Sequence, residues 1–177
     1  MTLELYAAML KDESKEFTLD NSNVNLIGLL GGELSARDKV NLFEAEMLKM
    51  PQIDLPVKHH FSLGLYGREL FIPAGTILTG KIHKYPQMNI LAQGRIAVLV
   101  DDEVIELEAP KVICSPAGTK RIAKAITDVT WITIHATDET NLDKIEDHFI
   151  AQNEQEYLKF IKNQKLIDYR NNLIAGI

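Results

Sequence analysis

Between Phe61 and Ala136 the chain repeats one pattern: short runs rich in Val, Ile, Leu and Thr, cut by Gly, Pro and Asp at intervals of roughly 8–12 residues. Runs of this kind suit a pleated, half-buried surface, and their regular punctuation predicts an all-β sandwich or barrel. Strands are expected over Leu63–Ile72, Ile77–His83, Met88–Gln93, Arg95–Val100, Val104–Leu107, Lys111–Ser115, Lys120–Ala125 and Thr130–His135. Ile96–Val100 and Val104–Leu107, joined through Asp101-Asp102, form the clearest hairpin.

The flanks follow another period. Leu3, Leu5, Tyr6, Met9 and Leu10, then Val40, Leu42, Phe43, Met47 and Leu48, recur at helical spacing and predict two amphipathic helices. A turn-rich stretch from Asp20 to Asn25 and the Gly31-Gly32 pair separate them. Ser35 followed by Asp38 marks an N-cap, and Pro51 and Pro56 end helical character. Beyond Thr137, helical spacing returns in Leu142, Ile145, Phe149 and Ile150, then in Tyr157, Phe160 and Ile161. Those helices are expected to cover a barrel edge or a partner subunit. At 177 residues there is material for one sizeable core. The expected organisation is one folded unit: an N-terminal helical extension over 1–58, a barrel over 59–137 and a C-terminal helical extension over 138–177.

Charge and composition narrow the function. A net charge of −6 repels nucleic acid and anionic membranes, so neither is an expected partner. No apolar run approaches the ~20 residues that span a bilayer, and Met1–Glu16 lacks the pattern of a secretion signal. The single Cys114 allows no internal disulfide and is expected as a small buried residue. The expected location is the cytoplasm.

Two segments carry a family resemblance. The stretch Gly80 to Gly94 resembles the first cupin motif, with His83 at its second histidine and Gly94 as the closing glycine. Lys81 stands where that motif has its first histidine, and Gln87 where it has glutamate. The stretch from Pro116 resembles the second motif: Pro116 and Gly118 match, whereas Arg121 replaces the histidine and Ala125 the asparagine. The resemblance implies a mainly β fold, a cupin-like jelly-roll barrel with N- and C-terminal helical extensions, whose metal positions have been replaced. Phe61 to Glu69, Ile72 to Thr76, Ser115 to Arg121 and Trp131 to His135 further resemble small cupin-like proteins of tailed phages and prophages. That setting implies the cytoplasm of a host cell.

Residues two apart on a strand share a face, so Lys81 and His83 are expected on one wall, and the resemblance implies that Arg121 faces them. A transition metal needs deprotonated nitrogen, oxygen or sulfur donors. Lys81 and Arg121 offer positive charge and Gln87 a weak neutral oxygen, so no metal and no cofactor are expected. Lys81, His83, Gln87 and Arg121 instead suit an anion. Tyr66 and Arg68 share a face and could stack on a planar ligand and pair with its charge. Tyr85 is placed to gate a mouth. His135, on the face of Trp131 and Thr133, would line the pocket or hydrogen-bond within the core. The plainer alternatives are Lys81 or Arg121 in solvent or paired with Asp128 or Glu69, His59 and His60 as surface or packing residues, and Asp138–Asp147 as a wet helix face.

Three functions follow. The first is non-catalytic capture of a small anionic ligand, a nucleotide or nucleotide-derived host defence signal among the candidates. The second is an isomerase or epimerase using His83 as general base, or an enzyme with an unusual metal set. The third is a structural or assembly role in a phage particle. The terminal amphipathic helices favour a homodimer or higher homo-oligomer.

Overall fold

The computed structural model describes residues 35–100 and 103–175. The first expected helix, the Asp20–Asn25 turn, the Gly31-Gly32 pair and the Asp101-Asp102 turn lie outside these residues. Ser35 caps helix α1 (Ala36–Met47) as its sequence suggests: its Oγ accepts the Asp38 amide at 3.1 Å and donates to Asp38 Oδ2 at 2.6 Å.

The strands are β1 (Val57–Ser62), β2 (Leu65–Ile72), β3 (Ile77–Thr79), β4 (Ile82–His83), β5 (Gln87–Gln93), β6 (Arg95–Val100), β7 (Glu103–Glu108), β8 (Lys111–Ser115), β9 (Ile122–Ala125) and β10 (Val129–Ala136). Helix α2 (Leu142–Phe149), the short strand β11 (Ile150–Ala151) and helix α3 (Glu154–Ala175) close the chain. One sheet runs β1-β2-β10-β5-β8, a second β3-β9-β6-β7, and β4 pairs with β11 alone. All pairs are antiparallel.

Their nesting defines the architecture. β6 pairs with β7, β5 with β8, β3 with β9 and β2 with β10. Each pair encloses the previous one in sequence, as when a long antiparallel ribbon is rolled over itself into two facing sheets. This is jelly-roll connectivity. The fold is therefore mainly β in antiparallel sheets, with helices at both ends.

Strand alternation sends Leu70, Ile72, Leu91, Ile96, Val98, Ala125 and Val129 between the sheets, where they form the main core. The outer face of the second sheet is covered by α1, through Val40 against Leu99 and Ile122, with Phe43 and Ile77 alongside. Tyr66, Ile145 and Phe149 make a third cluster, tying α2 to one end of the barrel.

Four expectations need correction. The predicted strand Ile77–His83 is broken: β3 stops at Thr79, the Gly80 amide turns to the Arg121 carbonyl at 2.9 Å, and β4 pairs with β11. Ile150 belongs to β11, opposite His83, and not to a helix. Cys114 is exposed, because Ile113 and Ser115 take the inward positions of β8. β1 falls outside the predicted strands; it is an exposed edge on which Lys58, His59 and His60 interrupt any apolar alternation. Among the described residues no helix is long and apolar enough to cross a membrane.

The two glycine turns have backbone reasons. Gly94 has φ +86° at the corner between β5 and β6, and a Cβ there would collide with the Asp128 carbonyl. Gly118 has φ +78°; its carbonyl accepts from Arg37 Nη2 of α1, and the Tyr157 ring of α3 lies where a Cβ would be. Gly94→Ala is therefore expected to lower unfolding stability by more than the ~1–2 kcal/mol of the left-handed backbone alone, since a carbonyl must also move. Denaturant titration checks this, and an unchanged midpoint would remove Gly94 from the structural account.

Candidate functional site

A cavity of about 770 Å³ lies between the two sheets. Its lining is set by register. From the first sheet, the inward positions of β2 are Tyr66, Arg68, Leu70 and Ile72; those of β10 are His135, Thr133, Trp131 and Val129. Cross-strand pairing sets Tyr66 beside His135, Arg68 beside Thr133, Thr133 beside Asn89 and Gln87 beside Ser115. The polar residues thus collect at one end, beneath α2.

Asn89 is the hub of that end. Its Oδ1 accepts from Trp131 Nε1 at 3.2 Å and from Thr133 Oγ1 at 2.9 Å, while its Nδ2 donates to Ser115 Oγ at 3.1 Å. Arg121 Nη1 donates to the same Ser115 Oγ at 3.1 Å. The network runs through β10, β5 and β8 to the residue preceding β9, so it joins the two sheets.

Other buried polar atoms are left over. His83 Nδ1, His135 Nδ1 and Gln87 Oε1 have no hydrogen-bond partner among the described residues, and all three residues line the cavity. Arg68 lines it too, with no hydrogen bond or ion pair among the described residues. Buried polar groups are ordinarily satisfied, so such unpaired atoms in residues that line one cavity are the feature to explain.

The His83 and His135 rings stack at 5.2 Å, and His135 stacks on Phe149 at 4.1 Å. Burial pushes both imidazoles down to about 4; the charges of His135, Arg68 and Lys81 add to this for His83, and that of His148 for His135. Both rings are neutral at neutral pH. Charge in the cavity wall therefore comes from Arg68, Lys81, Lys111 and Arg121, against Asp54 and Glu146.

The sequence candidates are distributed as follows. Tyr66, Arg68, Lys81, His83, Gln87, Arg121 and His135 all line the cavity. Lys81, however, lies outside β4, is exposed and is ion-paired to Glu146 of α2, so it stands at the rim and not on a shared strand wall with His83. Burial raises the Tyr66 phenol pKa, and its hydroxyl meets His59 Nδ1 at 2.7 Å. Tyr85 lines no part of the cavity: it stacks on His148 at 5.0 Å and meets Phe160 edge-on at 5.2 Å, so it packs α2 and α3 together. Glu69 pairs with Lys58 and His60, and Asp128 accepts the Ala74 amide, so neither carboxylate serves His83, Lys81 or Arg121. Glu146, expected on a wet face, joins the site through Lys81.

Asn89, Ser115 and Thr133 were not among the sequence candidates. The signal for Asn89 was its spacing: two residues from Gln87 on one strand, it must share that inward face.

The metal positions of the resembled motifs do not fit a metal. The cation of Lys81 is committed to Glu146, Arg121 donates to Ser115, and Gln87 offers only an amide. Among the described residues no three His, Cys, Asp or Glu side chains converge.

No protein-family model matches the chain, and no curated protein matches it. Among solved structures, a cupin superfamily protein from Desulfitobacterium hafniense is 14% identical, with a TM-score of 0.41 over 53% of this chain and 87% of that one. The cupin domain of a transcriptional regulator from Enterobacter cloacae is 12% identical, with a TM-score of 0.40 over 48% of this chain and 98% of that one. The Cnp3 cupin domain of Schizosaccharomyces pombe is 22% identical, with a TM-score of 0.40 over 50% and 71%. The jelly-roll connectivity described above rests on the strand pairing of this chain itself.

The two imidazoles predict an acid limb of stability. Above their ordinary value of 6.5 they are neutral in both states and their contribution is complete. Between 6.5 and about 4 the unfolded chain takes up protons that the folded chain refuses, so stability falls with pH through that window. Allowing for solvent screening, the loss is on the order of 1–3 kcal/mol for each ring. Denaturant midpoints measured against pH should show this fall, and His135→Asn should flatten part of it; equal slopes in the two proteins would contradict the assignment.

Proposed function

We propose that the chain binds a small anionic ligand inside the barrel and carries out no chemistry on it. The observation that carries this is Arg68: a guanidinium in the cavity wall, without a hydrogen-bond or ion-pair partner among the described residues, at the end where His83, His135 and Gln87 also leave polar atoms unsatisfied. A bidentate pair between guanidinium and carboxylate or phosphate would satisfy it. Neutral imidazoles and the Gln87 amide can orient the rest of the head group.

Catalysis finds less support. A general base needs a pKa near the working pH and an orienting partner. His83 is held at about 4, its Nδ1 is unpartnered, and the acids lining the cavity are Asp54 and the Lys81-paired Glu146.

In the phage setting implied by the sequence resemblance, the proposal extends to sequestration of a host-derived signal, a nucleotide among the candidates, by a homo-oligomer in the cytoplasm. Calorimetry against mononucleotides, sugar phosphates and small carboxylates tests the binding. At least one should bind, and Arg68→Gln should weaken it about 10–100-fold, the ratio expected for losing a charged hydrogen-bonded pair. Silence across the whole panel, or an Arg68→Gln protein that binds as tightly, would sink the proposal.

A further inference from the structure

The cavity is polarised along the barrel axis. Reading down the inward face of the first sheet, the rows are Tyr66 with His135, then Arg68 with Thr133 and Asn89, then Leu70 with Trp131 and Leu91, and last Ile72 with Val129. On β2, β10 and β5 polar character stops between the second row and the third; beyond it the charged groups in the lining are Lys111 of the edge strand β8, opposite Leu91, and Asp54 before β1. Even Trp131 turns its indole N–H back towards Asn89, leaving its carbon face to the lower half. Apart from Thr79, the facing sheet contributes apolar side chains to the lining, Leu78, Ile96, Val98, Ala123, Ile105 and Leu107 among them. The lining reaches solvent on the apolar side, where Ile53, Ile105 and Val112 are 62%, 42% and 61% exposed.

Neither a purely polar nor a purely apolar occupant matches this wall. A sugar phosphate filling the cavity would set hydroxyls against Leu70, Ile96 and Leu107, where they would lose water and gain no partner; each such group weakens binding on the order of tenfold. A hydrocarbon would leave Arg68 and the unsatisfied atoms of His83, His135 and Gln87 dry and unpaired. A bare ion would use only one end of a cavity whose size is that of a small organic ligand's site.

We infer that the ligand is an amphiphilic anion, a carboxylate on an acyl or aryl body, with its head at Arg68 and its body along the apolar half between Leu70 and Val98. This rests on the anion-binding proposal and specifies the other end of the molecule. The head pairs with the guanidinium while Gln87 and the histidines complete its hydrogen bonds. The body displaces water from the lower rows, and the far end points to the half-exposed Ile105 and Val112.

The test is calorimetry of the full chain with octanoate, octanol, acetate and adenosine monophosphate. Octanoate should bind at least tenfold more tightly than either acetate or octanol. Arg68→Gln should abolish the advantage over octanol, and Ala123→Phe, which fills the apolar half, should abolish the advantage over acetate. Thermal melts of both variants establish that they fold, and Val98→Phe serves if Ala123→Phe does not. Binding of adenosine monophosphate with octanoate silent would overturn the amphiphile and leave the anion proposal standing. Octanol binding as tightly as octanoate would overturn the anion proposal itself, and silence of all four would overturn the amphiphile.

Discussion

Asn89 lets the inward face of the first sheet be polar at one end and apolar at the other. Its carboxamide accepts from Trp131 and Thr133 and donates to Ser115, which also takes the Arg121 guanidinium. A buried amide left half satisfied costs more than it contributes; with these partners it instead fixes the relative heights of three strands in one sheet and ties them to the other. On β2, β10 and β5 the inward residues from that level up are polar, and those below it are Leu70, Ile72, Leu91, Trp131 and Val129. The position of Arg68, one row from the apolar boundary, follows from it.

The helices dock on the barrel through ion pairs, one of them at the rim of the cavity. Lys81 pairs with Glu146 of α2, Lys84 with Glu156 of α3 at 2.7 Å, and Lys120 with Glu44 of α1. Arg37 of α1 meets Glu154 of α3 at 3.4 Å beside the Gly118 turn, so both ends of the chain hold the same loop. These three lysines are thereby used for docking the extensions. Arg68, on a strand and without an ion-pair partner among the described residues, faces the cavity.

Much of the barrel was legible because strand signals are local. Alternation and turn residues marked all but one of the strands in the two larger sheets, and Ser35 with Asp38 marked the start of α1. Gly94 and Gly118 were legible as turns, though why each must be glycine depends on the Asp128 carbonyl and the Tyr157 ring, both distant in sequence. β1 was missed because an edge strand needs no apolar alternation. The site was half legible. Period two placed Tyr66 with Arg68, and Trp131 with Thr133 and His135, on common faces. It misplaced Lys81, because a break at Gly80 lies between Ile77 and His83, and Tyr85, because the helices that surround it lie more than sixty residues on.

By itself the sequence determined a β-rich core with helical flanks, and it carried Lys81, Gln87 and Arg121, residues whose side chains suit an anion better than a metal, since these depend on residue type and on spacing within one strand. Which cations are engaged by carboxylates of the helices was decided only by the tertiary structure. Lys81, Lys84 and Lys120 could be told from Arg68 only once α1, α2 and α3 had brought carboxylates against the first three. The boundary between polar and apolar halves was decided there too, because it depends on the register of four strands drawn from opposite ends of the barrel segment, and register is a property of the assembled sheet.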